Sequence, residues 1–465
     1  MRRETDVSHD LKTTESAPGL AAKVVVLAAA VVVVALGYGT LDSGKIQFAR
    51  SLGGDFWRLL WWPTVTMGAV VVVSFLWRVA LWLSYKPIPA GETSELPSVT
   101  VVVPAYNEGA MVSRSLLSAV GSDYPASLLR VVCVDDGSQD DTWLHMQSAR
   151  RLHPERITLL RFPQNRGKRH ALHAGMAQAD TEVVVTLDSD SVLLPDTLRA
   201  LVAPLRDPGT GAVAGCVKVY NRSRNLLTRM LAVRYLLGFD FARAYQSRLG
   251  SVFCSPGALT AYRRSVIAPH LDAWRDQRFL GRACTNGDDH ALTNVVLRTG
   301  LDVRYQSDAV VLTVVPETWV GLSRMYVRWA RSNVRESTLW LTFGLSRARR
   351  RGGWLAFADG LVHWLQIPAR IWVSLLSTGL FLASPPLVLR ALAATTVVAG
   401  IYAAISLRSE RGTESILGVL YGWMTLLTMQ WIYPYAALTV HHNRWLTRAR
   451  KSTLDLAPPA SPETT

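Results

Sequence analysis

Glu182-Val183-Val184-Val185-Thr186-Leu187-Asp188-Ser189-Asp190 is the stretch on which the reading of this chain turns. From Val183 to Leu187 it is apolar or β-branched without a turn former, the pattern of a strand buried on both faces. It stops in two carboxylates at i and i+2. Such a pair suits a hard divalent cation that also binds a diphosphate, because these ions prefer oxygen and share their shell with phosphates. Two earlier runs have the same form. Ser98-Val99-Thr100-Val101-Val102-Val103 stops at Pro104-Ala105-Tyr106-Asn107-Glu108-Gly109, and Leu129-Arg130-Val131-Val132-Cys133-Val134 stops at Asp135-Asp136-Gly137-Ser138. Helical patterns lie between them, so the chain is expected to build an α/β domain on a Rossmann-like, mostly parallel sheet. Ligands of such sheets bind at the carboxyl ends of the strands, where all three runs place polar groups.

The ligand is not a dinucleotide bound in the usual way. No G-x-G-x-x-G follows the first strand, and no P-loop signature occurs. Asn165-Arg166-Gly167-Lys168-Arg169-His170-Ala171 puts three cations in four residues ahead of a helix. That turn fits a pyrophosphate, and it equally fits a solvated basic turn. Gly287-Asp288-Asp289 opens another amphipathic stretch. Its carboxylates serve as dipole partners at a helix start, or one of them supplies a general base for an acceptor hydroxyl.

Composition places this domain beside a membrane. The 465 residues are 49% hydrophobic and 18% charged, with Lys+Arg 50 against Asp+Glu 35 and a net charge of +15. Disorder and small disulfide-stapled scaffolds are excluded. The basic residues cluster beside apolar runs instead of forming one stripe, which favours a membrane protein with basic cytoplasmic flanks over nucleic-acid binding. Residues 24–36 and 63–84, the second interrupted only by Arg78, approach the ~20 residues that cross a bilayer. Further candidate spans are 371–383, 387–407 and 416–433. Asp359 and His363 mark 354–367 as interfacial or pore-facing. The expected division is 1–84 for a cytoplasmic tail and two spans, 85–353 for a cytoplasmic catalytic domain, and 354–441 for an interfacial helix and C-terminal spans. A basic segment and tail would occupy 442–465. Cys133, Cys216, Cys254 and Cys284 form no C-x-x-C pair and read as reduced thiols.

The ordered set Pro104-Ala105-Tyr106-Asn107-Glu108, Asp135-Asp136-Gly137-Ser138, Lys168-Arg169-His170, Asp188-Ser189-Asp190, Gly287-Asp288-Asp289 and Arg328-Trp329 resembles the inverting, processive glycosyltransferases of family 2. The likeness is to hyaluronan synthases and the related chitin-oligosaccharide synthases, with Trp445-Leu446-Thr447-Arg448 similar to their gating loop. It implies a GT-A type fold flanked by transmembrane helices in the plasma membrane, and UDP-sugar donors such as UDP-GlcNAc, with or without UDP-GlcA. The acceptor would be a growing polysaccharide, and Mg²⁺ or Mn²⁺ a cofactor.

The resemblance also implies roles. Tyr106 would stack on uracil, with Glu108, Asp135 and Asp136 at the uridine and Lys168 at the phosphates. Asp190, with Asp188, would hold the metal. Asp289 would be the general base, Arg328 would counter the diphosphate, and Trp329 would floor the acceptor subsite. Three positions depart from the family pattern: Met325 stands where Gln is expected, Leu446 where Gly is expected, and Cys254-Ser255-Pro256-Gly257 inverts the usual glycine-proline order. A non-processive transferase using a lipid-linked acceptor is the alternative reading.

Overall fold

The computed structural model describes residue 32 and residues 54–351, 353–383, 386–409 and 413–442. The expected span at 24–36, residue 32 apart, and the gating-type segment at 445–448 lie outside the described residues.

The three runs singled out above are strands. They are β1 (Val99–Ala105), β2 (Leu129–Asp135) and β4 (Val183–Leu187), and β1 and β4 are buried at every position. With β3 (Ile157–Arg161), β5 (Ser191–Leu193), β6 (Thr210–Val219), β7 (Leu259–Arg263) and β10 (Asp302–Thr313) they form an eight-stranded sheet of order β3-β2-β1-β4-β7-β6-β10-β5. The small hairpin β8 (Arg278–Phe279) and β9 (Arg282–Ala283) stands apart. Strands β3, β2, β1 and β4 run parallel, as do β6 and β10, while β7 inserts antiparallel between β4 and β6. β5 adds antiparallel to β10. The mostly parallel expectation therefore holds, with two reversed strands that their short runs did not announce.

Register is what builds the site. Ala105 pairs with Asp135 across β1 and β2, while β1 and β4 pair only as far as Val102 and Thr186. Pro104, which lacks an N–H, thus lies beyond the β4 ladder and costs it no bond. Tyr106, Asp135 and Asp188 consequently emerge at one edge of the sheet. Helices α2 (Met111–Val120), α3 (Thr142–Leu152), α4 (Lys168–Ala177) and α5 (Thr197–Val202) are the crossovers and covers of this sheet. α6 (Leu226–Leu236) follows β6, and α7 (Asp288–Thr299) precedes β10.

Four long helices, α1 (Gly54–Leu83), α8 (Trp319–Arg351), α9 (Trp354–Ala383) and α10 (Pro386–Ser409), and two shorter ones, α11 (Leu417–Thr428) and α12 (Ile432–Leu438), frame the domain. Here the structure differs from expectation. Residues 354–367 are continuous with the expected span at 371–383: both belong to α9, which runs through Pro368. Their polar residue Asp359 is fully buried against α1, accepting from Arg78 Nε at 2.8 Å and Trp77 Nε1 at 3.4 Å. The Arg that interrupts one apolar run thus neutralises the Asp that interrupts another. Among the described residues no single helix is long and apolar enough to cross a membrane. Glu414–Thr428 and Ile432–Leu438, bent by 52°, pass that test together.

Candidate active site

The loop after β1 is held by the loop after β2. Asn107 adopts φ 52°, a left-handed conformation that Asn tolerates, and its Oδ1 accepts from Gln139 N at 2.9 Å. Thr142 Oγ1 accepts from both Glu108 N (2.8 Å) and Gly109 N (2.9 Å). Tyr106 and Glu108 are thereby fixed, half-buried, at the end of β1. The Asp135/Asp136 pair is wholly interior. Asp135 accepts from Ser138 N at 2.9 Å and faces Arg161 Nε at 3.1 Å. Asp136 receives Arg166 N at 2.8 Å and Gly167 N at 2.9 Å, one on each oxygen. Burial raises the Asp136 carboxyl above its ordinary range against these two bonds. Gly137, at φ 75°, is required here because a Cβ would stand 2.6 Å from Asn165 N.

The three cations of the following turn part ways. Arg166 contributes its backbone to Asp136. Arg169 turns inward, nearly inaccessible, donating to Asp288 Oδ1 (2.8 Å), Trp274 O (3.0 Å) and Gln277 Oε1 (2.8 Å). Only Lys168 remains for the site, where its Nζ makes a short ion pair with Asp188 Oδ1. Burial pulls the Lys168 ammonium down, but Asp188, Asp288 and Asp289 outweigh it and hold the pKa above its usual value.

Asp289 closes the arrangement from the start of α7. Its Oδ1 accepts from His290 N at 2.8 Å and its Oδ2 from Gly257 N at 3.1 Å. Burial foremost raises the Asp289 carboxyl, with Lys168 and the His290 N–H opposing. Gly257 is the hub. A Cβ at this position would stand 3.2 Å from Lys168 Nζ, 3.6 Å from Asp289 Oδ2 and 3.8 Å from Asp188 Oδ1. Four segments distant in sequence therefore meet within one small volume, and the odd Cys254-Ser255-Pro256-Gly257 loop is what joins them.

Asp190 ends the D-x-D turn, its Oδ1 within 3.3 Å of Thr313 Oγ1 and 3.4 Å of Ser191 Oγ. Tyr235 on α6, absent from the sequence reading, links it to the Arg328-Trp329 pair. The buried Tyr235 phenol is pushed up by burial and feels Asp190, Arg328 and Asp188, while its ring packs 6.2 Å from that of Trp329. Trp329 also meets Tyr326 at 5.6 Å and keeps 40% of its surface exposed, so one face is open. Met325, which replaces the expected Gln, points into the core.

Helix α8 positions the base from behind. Arg335 donates to Asn286 Oδ1 at 3.2 Å and to Asn286 O, and pairs with the fully buried Glu336 at 2.8 Å. Glu336 in turn receives Gln277 Nε2 and Asn294 Nδ2, both at 3.1 Å. This network sets the Asn286-Gly287 turn, where Gly287 takes φ 72° ahead of Asp288 and Asp289.

Known proteins resemble this chain in sequence and in fold. A family model described as glycosyl transferase family 2 matches residues 100–271. An N-acetylglucosaminyltransferase of Rhizobium meliloti (strain 1021) is 34% identical over 370 residues, 77% of this chain and 83% of the relative. One from Azorhizobium caulinodans is 31% identical over 356 residues, 76% and 87% of the two chains. A solved mannosyltransferase from Pyrobaculum calidifontis, in complex with GDP-Man and Mn²⁺, aligns with a TM-score of 0.54 at 25% identity. That alignment covers 81% of this chain and 96% of that one. The sheet carrying carboxylates at its strand ends is a GT-A type fold, its substrates are a nucleotide-sugar donor and an acceptor, and the chain belongs to glycosyl transferase family 2.

Proposed function

We propose that the chain transfers N-acetylglucosamine, with inversion, from UDP-GlcNAc to the hydroxyl of a growing β-linked polysaccharide at a membrane. The observation that carries this reading is the convergence of Lys168 Nζ, Asp188 and Asp289 around Gly257. The relatives' names support the sugar.

Asp289 takes the proton of the acceptor hydroxyl as its oxygen attacks the anomeric carbon. The bond from that carbon to the diphosphate breaks, and UDP leaves with the electron pair. A carboxylate raised by burial is the more basic for this task. Lys168 and Arg328 counter the charge growing on the leaving group. Tyr106 stacks on the uracil, with Glu108 and the Asp135/Asp136 pair shaping the uridine pocket. Trp329 offers its open face to the acceptor sugar.

Asp188 and Asp190 would be the protein's donors to a divalent ion, Mg²⁺ or Mn²⁺. The donor set fits: both are oxygen-only ligands on one turn. Among the described residues no third His, Cys, Asp or Glu joins them, so diphosphate and water would complete the shell. When bound, the ion neutralises the departing diphosphate.

The membrane part rests on apolar surface. Val70 to Val73 and Leu76 on α1, Leu375 and Leu382 on α9, and Val397, Val398 and Ile401 on α10 are exposed. Clustered apolar surface of this kind seeks lipid. In this reading residues 85–353 face the cytoplasm, where nucleotide sugars are made, and the product passes between the helices. The test is UDP release by purified protein from UDP-GlcNAc with and without metal, read together with product length. Turnover confined to another nucleotide sugar would overturn the choice of donor.

A further inference from the structure

Helix α11 lies along α6 by one face. Glu414, in the turn that leads into α11, accepts from Arg222 Nε and Arg229 Nη2, both at 2.8 Å. One turn on, Leu417 is buried with Met230 and Val233 of α6, and a Cβ built on Gly418 would stand 3.4 Å from Val233 Cγ1. Tyr421 comes a further turn along and packs against the same cluster. Glu414, Leu417, Gly418 and Tyr421 follow the spacing of a single helical face. Charge, close packing and a phenol therefore all bear on the catalytic domain from one side of α11.

At its last point of contact this face meets α8. The hydroxyls of Tyr421 and Tyr326 lie 2.7 Å apart, an ordinary O–H···O distance. The Arg234 guanidinium of α6 faces both, so α6, α8 and α11 share one polar contact. Tyr326 precedes Trp329 by one turn of α8 and lies on the same side of it, and the two rings meet at 5.6 Å. The Tyr235 ring of α6 meets Trp329 at 6.2 Å. The orientation of Trp329 is thus set by two rings, one of which is pinned at its far end by a helix remote in sequence. Met325 beside it is buried in the core and offers no polar hydrogen, so the polar tie at this turn of α8 falls to Tyr326.

We propose that Tyr326 and Tyr421 are positioning residues for the acceptor: their hydroxyl pair, kept in place by the docking of α11 on α6, holds the Trp329 ring at the tilt that receives the sugar. This rests on the reading above in which Trp329 offers its open face to the acceptor. Neither hydroxyl touches the sugar. Once the pair is broken the Tyr326 ring can turn, and part of the binding free energy of each arriving acceptor goes to ordering Trp329. The donor side is spared, because Lys168 and Asp188 come from the start of α4 and the end of β4 and draw on no residue of α11.

The full chain in lipid nanodiscs is supplied with UDP-GlcNAc and Mn²⁺, and initial rates are measured against a titration of β-linked N-acetylglucosamine tetrasaccharide. UDP affinity is read by calorimetry on the same preparations. Tyr421→Phe and Tyr326→Phe keep the rings and remove only the hydroxyls. Each should raise the KM for the tetrasaccharide about three- to tenfold, the weight of one neutral hydrogen bond, with kcat and UDP affinity within about twofold of the parent. The double variant should match the single ones, because either change alone breaks the same contact. Glu414→Ala touches neither ring and should raise the same KM by undocking the start of α11. Parent-like KM values in both phenylalanine variants overturn the proposal. Losses that multiply in the double variant also overturn it, since each hydroxyl would then be an independent ligand of the acceptor. So does a fall of kcat and UDP affinity in step with the rise in KM, which would mark a general loss of structure. A parent-like KM in Glu414→Ala overturns the part given to α11. A parent that transfers nothing to the tetrasaccharide refutes the acceptor reading itself, whereas an active parent with indifferent variants refutes the positioning alone.

Discussion

Asp289→Asn separates chemistry from donor binding, and the structure sets the size of each effect. The carboxylate accepts one backbone N–H on each oxygen, from His290 and from Gly257. An amide keeps one acceptor and turns its NH₂ toward the other N–H, whichever way it is flipped. That leaves a half-buried donor unsatisfied, a cost of about 1–3 kcal/mol in stability. Loss of the proton acceptor should cost more, roughly 10²–10⁴-fold in turnover or about 3–5 kcal/mol in the barrier. UDP affinity should move only a few-fold. Donor turnover, UDP calorimetry and melting temperature are measured on the same preparation. The neighbouring carboxylate is the control. Asp288 is bound to the buried Arg169 at 2.8 Å, so Asp288→Asn strands a cation in the interior. Breaking a buried pair in this way costs about 3–5 kcal/mol in stability. Its signature is a lower melting temperature with turnover per folded molecule largely kept. If Asp289→Asn turned over within a few-fold of the parent, or if Asp288→Asn abolished turnover without destabilising the protein, the assignment of the base would be wrong.

Asp190→Asn, or excess chelator, should remove most UDP release, since an amide is a poor ligand for an ion that also neutralises diphosphate; full activity in chelator would contradict this. Because burial raises the Asp289 carboxyl and the base must be ionised, the acid limb of the kcat/KM profile should lie above the ~4 of an ordinary Asp and fall as pH drops through it. Lys168→Met removes the largest opposing influence, so that limb should move to still higher pH, and an unmoved limb would mean another group titrates. Gly257→Ala should fold normally yet lose about tenfold in kcat, because the new methyl displaces Lys168 Nζ from 3.2 Å; unchanged kinetics would deny the hub. Gly287→Ala combines a strained φ of 72° with overlap at Ser332 Oγ and should lower stability by about 1–3 kcal/mol, read by thermal melting.

Much of the fold was legible because its signal is local. Val183 to Leu187 and its two counterparts are apolar strands stopped by polar turns, and each became a strand within a residue or two of expectation. The carboxylates at their ends needed only parallel register to come together. What could not be read depends on partners distant in sequence. Nothing local distinguishes Asp288 from Asp289; Arg169, 119 positions away from Asp288, claims the first and leaves the second to the site. The same pairing removes Arg169 from the set of candidate phosphate ligands, which local charge alone cannot reveal. Tyr235 lies in an unremarkable apolar helix, and it matters only because its ring meets that of Trp329. The Cys254-Ser255-Pro256-Gly257 loop was visible as an oddity of order. Its purpose, one backbone N–H on Asp289, was not. On α9, the pairing of Asp359 with Arg78 could not be read because the two lie 281 residues apart.

The most direct test of the metal-dependent transferase reading is UDP release by the purified full chain in detergent, supplied with UDP-GlcNAc and Mn²⁺ and followed over time beside its Asp190→Asn variant. The parent should release UDP continuously and fall to background in chelator, with the variant close to background throughout. Equal release by parent and variant, or release indifferent to chelator, would contradict a diphosphate held by metal at the end of β4.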